Sequence, residues 1–131
     1  MPVFAGTNVV VYAFGRDDTK VARAEAVLAG QPTVSVQVVN EFLNVCRVKL
    51  GFDVEVRHRL AKELLDGCNV VAIDTRVVAK AMEIESRAGI AYWDALIVAA
   101  ALLAGCDTLY SEDLHHGHVF EGRLTVVNPF A

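Results

Sequence analysis

The sequence lacks the usual signatures of nucleotide-binding α/β proteins. Its 131 residues contain neither G-x-x-x-x-G-K nor G-x-G-x-x-G, the glycine-rich loops that hold nucleotide phosphates. The first apolar segment also lacks the pair of acidic residues that a receiver-like domain carries after its first strand. These absences disfavour an unrelated phosphate-binding or receiver-like module.

Cysteine is scarce, and so are the marks of export. The three cysteines are odd in number and far apart, and each lies in or beside an apolar stretch: Cys46, Cys68 and Cys106. We expect reduced thiols packed in the core of a cytosolic protein, since neither a disulfide framework nor a metal knuckle fits this spacing. The start of the chain has no basic and apolar signal segment. A cytoplasmic location is therefore expected.

Long hydrophobic runs are also missing. The longest uncharged one, "ALIVAAALLAG" after Asp94, is shorter than the roughly 20 residues that a bilayer requires, so we expect a buried helix and no membrane contact. Hydrophobic residues nevertheless make up 54% of the chain, more than in a typical soluble protein. With no linker or repeat in view, residues 1–131 are expected to form a single domain with a substantial core.

Positive charge is not in excess. The chain has 12 Lys and Arg against 16 Asp and Glu, a net charge of −4. This balance argues against a protein that coats nucleic acid, but it is compatible with an enzyme whose acidic groups hold cations that meet phosphate. The one basic stretch, between Arg47 and Lys62, is interpreted as a solvated helical face.

Apolar spacing predicts an α/β fold with a central, mostly parallel sheet and helices on both faces. The short apolar segments do not alternate with polar residues, as expected for strands covered on both sides, and right-handed crossovers would join them. The predicted strands are 2–6, 33–35, 69–73, 107–110 and 124–127. The predicted helices are 8–14, 19–29, 36–50, 54–66, 75–88 and 93–104.

Acidic and polar side chains follow several of these strands or open the helices after them. Asp94 begins the most apolar helix, where it would serve either as a helix cap or as a metal ligand. Glu41 lies on the helix after the second strand and could equally be a solvated side chain. Glu112 and Asp113 follow the fourth strand, where turn or cap roles are common.

Taken together, these acids indicate a metal site. The carboxyl ends of parallel strands meet at one edge of a sheet, and ligands gather there. Clustered carboxylates repel one another unless cations or protons neutralise them. Oxygen ligands without a His/Cys set favour Mg²⁺ or Mn²⁺, and such ions support phosphodiester hydrolysis. The pattern therefore favours a nuclease.

The chain resembles a PIN-domain ribonuclease, in particular the VapC-type toxin of a toxin–antitoxin pair. The likeness covers nearly the whole chain and rests on "FAGTNVVVYAF", "SVQVVNEFLNV", "AYWDALIVAAALLAGCDTLYSEDL" and "LTVVNPF". The third segment is the most specific, because Tyr-Trp-Asp-Ala-Leu-Ile before a small-residue helix is a strong mark of the family.

This resemblance implies a set of acids around one or two Mg²⁺ or Mn²⁺ ions. The family's second, third and fourth acids correspond to Glu41, Asp94 and Asp113. The polar residues that orient these acids and a metal-bound water correspond to Thr7, Asn8 and Ser111. The resemblance also implies an RNA substrate, a small antitoxin that binds across the acidic groove, and a homodimer.

The family's first acid is missing, because Gly6 occupies its position. A lost ligand weakens metal binding and misplaces the attacking water, and a displacement of about 1 Å can cost on the order of a hundredfold in rate. We expect a PIN fold with weak or absent nuclease activity. The chain is either a natural degenerate member or one in which glycine has replaced a harmful aspartate; its native coding sequence would distinguish these.

Two alternatives remain open at this point. A PIN fold without its first acid could bind RNA or an antitoxin without cutting. The segment "LHHGH" offers a different metal reading through His115, His116 and His118, against an exposed loop with incidental histidines.

Overall fold

The computed structural model describes residues 2–131, which form a six-stranded sheet with six helices. The strand order is β3-β2-β1-β4-β6-β5, and every neighbouring pair is parallel except β5 with β6. The strands are β1 (Val3–Ala5), β2 (Thr33–Ser35), β3 (Asn69–Val71), β4 (Thr108–Tyr110), β5 (Val119–Phe120) and β6 (Leu124–Val127). This confirms the predicted mostly parallel α/β architecture.

The helices agree with the predicted ones to within one or two residues at most ends. They are α1 (Thr7–Tyr12), α2 (Asp18–Ala29), α3 (Val36–Val48), α4 (Val54–Gly67), α5 (Thr75–Ala88) and α6 (Tyr92–Leu103). Side-chain caps account for several of the starts: Ser35 accepts from the Val38 amide, and Asp53 accepts from the Val56 amide. Such caps satisfy backbone donors that the first helical turn leaves free.

The strand order reverses between β1 and β4. The chain moves outward from β1 to β2 and β3, then returns to place β4 on the other side of β1. The right-handed rule for parallel crossovers therefore assigns α1 to α4 to one face and α5 and α6 to the other. In an open parallel sheet, the crevice beyond the reversal is where a binding site forms. Here that crevice begins at Gly6, after β1, and Ser111, after β4.

The core lies between the sheet and the helices on both faces. Its largest fully buried side chains include Phe4, Phe42, Leu109 and Leu124. The central helix α6 contributes seven buried residues of its twelve, as its uniformly apolar sequence predicts. The rigid packing of this helix fixes the position of the polar residues in its first turn.

The three cysteines are all unpaired in residues 2–131. Cys46 and Cys106 are buried and Cys68 is half-buried, so the prediction of core thiols holds most fully for the first two. Burial raises the pKa of each thiol.

Strand β5 was not among the predicted strands. It has two residues and pairs antiparallel with β6 through Val119 with Thr125 and Phe120 with Leu124. So short a segment carries no periodicity of its own, and only its partner strand makes it a strand.

Within residues 2–131, no helix is by itself long and apolar enough to cross a bilayer. Helices α5 and α6 reach that length and apolarity only as a pair, and the chain bends by 119° between them.

Candidate functional site

A small acidic cavity lies at the point where the strand order reverses. It has a volume of about 60 Å³ and is lined by all the predicted site residues: Thr7, Asn8, Glu41, Asp94, Ser111 and Asp113, together with Gly6. The residues come from α1, α3, α6 and the loop after β4, which are far apart in sequence. The fold therefore brings together the polar side chains that the sequence analysis singled out.

Glu41 projects from α3 and is held by two side chains. The Thr7 hydroxyl donates to its Oε2 at 3.2 Å, and the Gln37 amide one turn earlier donates to its Oε1 at 3.4 Å. Burial raises the pKa of this carboxyl, and the negative charges of Asp94 and Asp113 raise it further, while the two hydrogen bonds act in the opposite sense. Glu41 is thus a part-buried acid that feels the other two.

Asp94 lies in the first turn of α6 but does not cap it. The N-cap residue is Ala91, and no side-chain hydrogen bond closes this helix start. Asp94 therefore does not bond the free backbone amides of this helix start, although an acid in the first turn still suits the helix dipole. Burial raises the pKa of its carboxyl, and the charge of Asp113 adds to the effect. Because α6 is buried, its first turn fixes the position of Asp94 beside the cavity.

Asp113 is placed by the loop after β4. The Ser111 hydroxyl accepts from the backbone amides of Asp113 at 3.2 Å and Leu114 at 3.3 Å, which shapes the turn. The Asn8 amide donates to Asp113 Oδ2 at 2.6 Å. Ser111 therefore orients Asp113 through the backbone, and Asn8 orients it through the side chain.

Gly6 joins β1 to α1 at the floor of the cavity. Its φ of −74° and ψ of 166° are ordinary for any residue, so the backbone does not demand glycine here. A Cβ at this position would lie 3.2 Å from the Tyr110 carbonyl oxygen, to which the Gly6 amide already donates at 2.9 Å. A side chain at position 6 would therefore require the Tyr110 carbonyl to give by a few tenths of an ångström, and its Cβ would lie 4.0 Å from the Ser111 Cβ.

Glu112 also lines the cavity, but a cation accompanies it. Lys20 Nζ lies 2.9 Å from Glu112 Oε2, and the Tyr12 hydroxyl donates to Oε1 at 2.9 Å. The hydrogen bond from Lys20 lowers the pKa of this carboxyl most, and the Tyr12 hydroxyl lowers it further. The Lys20 ammonium also lies 4.2 Å from the Tyr12 ring centroid. Of the two acids after β4, Asp113 is the one without a bound cation.

The donor set was tested against a divalent cation. Carboxylates with neutral polar neighbours, and no thiol or imidazole among the cavity residues, are the chemistry that Mg²⁺ and Mn²⁺ prefer. The geometry is incomplete, however: across residues 2–131, no three acidic, imidazole or thiol side chains are placed to hold one ion. Glu41 is turned toward Thr7 and Gln37, Asp113 toward Asn8, and Gly6 offers no carboxylate. The donor chemistry fits, but the described side chains do not form a three-ligand set.

Neither the loop histidines nor the basic stretch lines the acidic cavity. The three histidines of "LHHGH" hold no metal geometry; instead, His116 Nδ1 accepts from the Asn128 amide, and His118 packs edge-on against Phe120. The basic stretch is mostly exposed on the end of α3 and on α4, as predicted for a solvated face.

Sequence reasoning missed two features of this site. Lys20 and Tyr12 approach Glu112 from 92 and 100 residues away, and no local spacing signals such a contact. Trp93 lines the cavity beside Asp94 although its side chain is 59% exposed. Nothing in the sequence signals this exposure, because Trp93 begins an apolar segment that predicts a buried helix.

Comparison with protein families gives one match. The model described as PIN domain matches residues 3–119, which is most of the chain. No match was found among curated proteins.

Solved structures provide a second comparison. The chain is similar to a toxin–antitoxin complex from Klebsiella pneumoniae, with 19% identity, 98% of each chain covered and a TM-score of 0.72. It is equally similar to FitAcB from Neisseria gonorrhoeae, with 21% identity, 98% of each chain covered and a TM-score of 0.72. VapC20 from Mycobacterium tuberculosis, a toxin that cleaves the sarcin-ricin loop, has 19% identity over 85% of this chain and 89% of its own, with a TM-score of 0.66. These likenesses establish the fold.

Proposed function

The chain belongs to the PIN domain family, and on that premise we propose that it is a metal-dependent endoribonuclease whose hydrolysis of RNA is impaired by Gly6. PIN domains are generally ribonucleases that use divalent metal ions. The observation that carries the proposal is the meeting of Glu41, Asp94 and Asp113, from three separate elements, in one cavity at the strand-order reversal.

The electrostatics of these acids support a cation site. Burial and mutual repulsion raise the pKa of Glu41 and Asp94, which means that their charged forms are disfavoured in the folded chain. No lysine or arginine lines the cavity to offset them, in contrast to Glu112. A divalent cation would relieve this repulsion, and perturbed acids grouped in a cleft are typical of functional sites.

The cavity residues take the following proposed roles. Glu41, Asp94 and Asp113 would hold Mg²⁺ or Mn²⁺, which when bound activates water and stabilises a leaving oxygen. Thr7 orients Glu41, whereas Asn8 and Ser111 orient Asp113. The carboxylates come from α3, from α6 and from the loop after β4. A phosphodiester of RNA would approach them at the open side of the cavity.

Gly6 is the proposed cause of the impairment. It lies at the cavity floor, so a carboxylate there would join the other acids. Its absence removes a negative charge and ligand oxygens from the set, and the described residues hold no three-ligand group. Because its backbone conformation suits any residue, an aspartate there requires only that the Tyr110 carbonyl give by a few tenths of an ångström.

The biological setting proposed is that of a cytoplasmic toxin. A toxin–antitoxin complex and VapC20, a toxin that cleaves the sarcin-ricin loop, share its fold over most of the chain. We therefore propose a small antitoxin protein as partner and a homodimer as the assembly.

A second function is favoured by the incomplete donor geometry. Without a three-ligand set in residues 2–131, the chain would act as a degenerate PIN domain that binds RNA or its antitoxin and does not cut. This alternative uses the same cavity and differs only in whether a cation binds there and supports cleavage.

The test compares RNA cleavage by this chain, by Gly6→Asp and by Gly6→Ala. Both variants add the same Cβ against the Tyr110 carbonyl, so the alanine variant controls for that contact. With Mn²⁺ or Mg²⁺ and structured RNA, we expect Gly6→Asp to cut at least about a hundredfold faster than the other two, and chelation to abolish the difference.

Three results would be informative. Equal cutting by all three chains would show that Glu41, Asp94 and Asp113 suffice, and the impairment would be wrong. Cutting by none of them, while RNA or a partner still binds, would favour the binding module. If none of the three chains cuts RNA or binds RNA or a partner, the proposed function is wrong.

A further inference from the structure

Trp93 is exposed at the mouth of the acidic cavity. It is the only tryptophan in the chain, and its side chain is 59% exposed although it directly precedes a run of buried and half-buried positions. It is next to Asp94 in the chain, and both line the cavity. A large aromatic side chain left exposed beside a cleft of polar groups is typical of a contact surface.

The indole is held in place. Its ring packs edge-on against Tyr92, with centroids 5.6 Å apart and planes inclined by 73°. It belongs to the first turn of α6, whose buried residues anchor the helix in the core. One turn further along, Ile97 also lines the cavity. The aromatic surface is therefore presented from a rigid element, which limits the entropy lost on contact.

The surroundings of Trp93 leave little room for attraction of phosphate. No lysine or arginine lines the cavity, and Lys20, which contacts the lining residue Glu112, is bound to that carboxylate. Phosphate neutralisation supplies most of the affinity of ordinary nucleic-acid surfaces. In the absence of a bound cation, the bases are the part of RNA that these residues can contact favourably.

A shallow groove continues from the cavity along α3. It has a volume of about 350 Å³, shares Glu41 with the cavity, and is lined by the amides of Gln37, Asn40 and Asn44. The Gln37 amide also donates to Glu41, and the Asn44 carbonyl oxygen accepts from Arg47. Amide side chains hydrogen-bond base edges, and unpaired bases of RNA stack on aromatic rings. The groove offers one apolar side chain, Val45, so it lacks the row of apolar anchors that an amphipathic peptide helix needs.

We infer that Trp93 is a stacking platform for an unpaired base of single-stranded RNA beside the acidic cavity, with the amide row of α3 as the path of the adjoining strand. This rests on the proposed function for its choice of RNA, and it adds a residue that selects unpaired over paired RNA. In a duplex the bases are stacked on one another and their faces are not available to an indole.

The single tryptophan makes the contact directly observable. Stacking on a base quenches indole fluorescence, so the emission of this chain reports on Trp93 alone. We would titrate the protein, in chelator to prevent cleavage, with a hairpin RNA that has an unpaired loop and with a fully paired duplex of the same composition. Quenching by the hairpin and not by the duplex is expected.

Affinity measurements on labelled hairpin RNA complete the test. Trp93→Ala should weaken binding by about tenfold to a hundredfold, and Trp93→Phe by less, since a smaller ring still stacks. The control is Met82→Ala, which removes a side chain of similar exposure, 55%, from α5. The slope of log affinity against log salt should be the same for Trp93→Ala and the parent, because stacking releases no counterions.

Each outcome separates this inference from the proposed function. If Trp93→Ala binds the hairpin as tightly as Met82→Ala does, the stacking platform is wrong, even when Gly6→Asp cuts RNA. If Trp93→Ala loses affinity while Gly6→Asp cuts nothing, the platform stands and the nuclease proposal fails. Quenching by duplex as strong as by hairpin, or a flatter salt slope in Trp93→Ala, would also overturn the inference.

Discussion

Two groups of carboxylates line the same cavity and differ in what accompanies them. Glu112 has Lys20 within 2.9 Å and the Tyr12 hydroxyl on its other oxygen, and its pKa is lowered, chiefly by Lys20. Glu41 and Asp94 have no such cation, and burial raises their pKa. An acid that the fold itself neutralises stabilises the structure, whereas one left with other acids is free to meet a cation from outside.

The contrast bears directly on which acid after β4 belongs to the site. Glu112 and Asp113 are adjacent, and sequence alone gives each a similar claim. In the structure, Glu112 is bound to Lys20 and Tyr12. Asp113 is held only by the neutral side chains of Asn8 and Ser111, so we place it with the acids that have no cation beside them, here called the unpartnered group. The following three predictions sharpen this division, beginning with the largest expected effect.

Adding an acid at position 6 should make the free energy of unfolding depend on a bound metal ion. In chelator, Gly6→Asp is expected to be less stable than Gly6→Ala because it places a further charge among Glu41, Asp94 and Asp113. With Mn²⁺ at about a hundredfold excess over its dissociation constant, Gly6→Asp should gain roughly 3 kcal/mol in free energy of unfolding. Urea unfolding of both variants, with and without Mn²⁺, measures this. Equal stabilisation of the two would place the bound ion somewhere other than this cavity.

Removing the charge of the partnered acid should destabilise the fold. Glu112→Gln loses charge-assisted hydrogen bonds to Lys20 and Tyr12, which at this part-exposed position we estimate at about 1–2 kcal/mol in free energy of unfolding. Glu63→Gln, an exposed glutamate on α4, is the control and should change stability by less than about 0.5 kcal/mol.

The pH dependence of that loss has a definite sign. Because the folded pKa of Glu112 lies below its ordinary value of 4.5, its stabilisation is present above pH 4.5 and is lost as pH falls through the folded pKa. The parent and Glu112→Gln should therefore differ most near pH 7 and converge in acid. A difference that grew as the pH fell would contradict the role assigned to Lys20.

Removing the charge of an unpartnered acid should have the opposite effect, and a smaller one. Asp94→Asn relieves repulsion with Asp113 at little change in shape, so the variant is expected to be more stable at pH 7 in chelator, by less than about 1 kcal/mol because solvent screens this part-exposed group. Asp66→Asn on the exposed side of α4 is the control. Thermal unfolding of the pair provides the comparison.

Here too the pH profile follows from the direction of the shift. The folded pKa of Asp94 is raised above 3.8, so the folded parent takes up a proton first and gains stability as pH falls through that raised value toward 3.8. The advantage of Asp94→Asn should shrink over this range. A variant less stable than the parent at pH 7 would mean that Asp94 has a structural partner and belongs with Glu112.

Much of the fold could be predicted from local pattern. Apolar spacing placed the helices closely, because an amphipathic or wholly apolar helix must turn its apolar positions to the core wherever it packs. The strands of the parallel sheet followed from short apolar runs between them. Strand β5 could not be predicted, since two residues have no period and its pairing with Leu124 and Thr125 is set by the fold.

The sequence by itself determined which acids were candidates for the site and where a glycine stands among them. Glu41, Asp94, Asp113 and Gly6 follow from strand ends, helix starts and family motifs, all of which are properties of neighbouring residues. Only the tertiary structure decided which of the acids has a cation beside it and which has none. The contacts of Glu112 with Lys20 and Tyr12 span 92 and 100 residues, and the exposure of Trp93 depends on what packs around α6. Charge compensation and burial act through space, so no spacing along the chain encodes them.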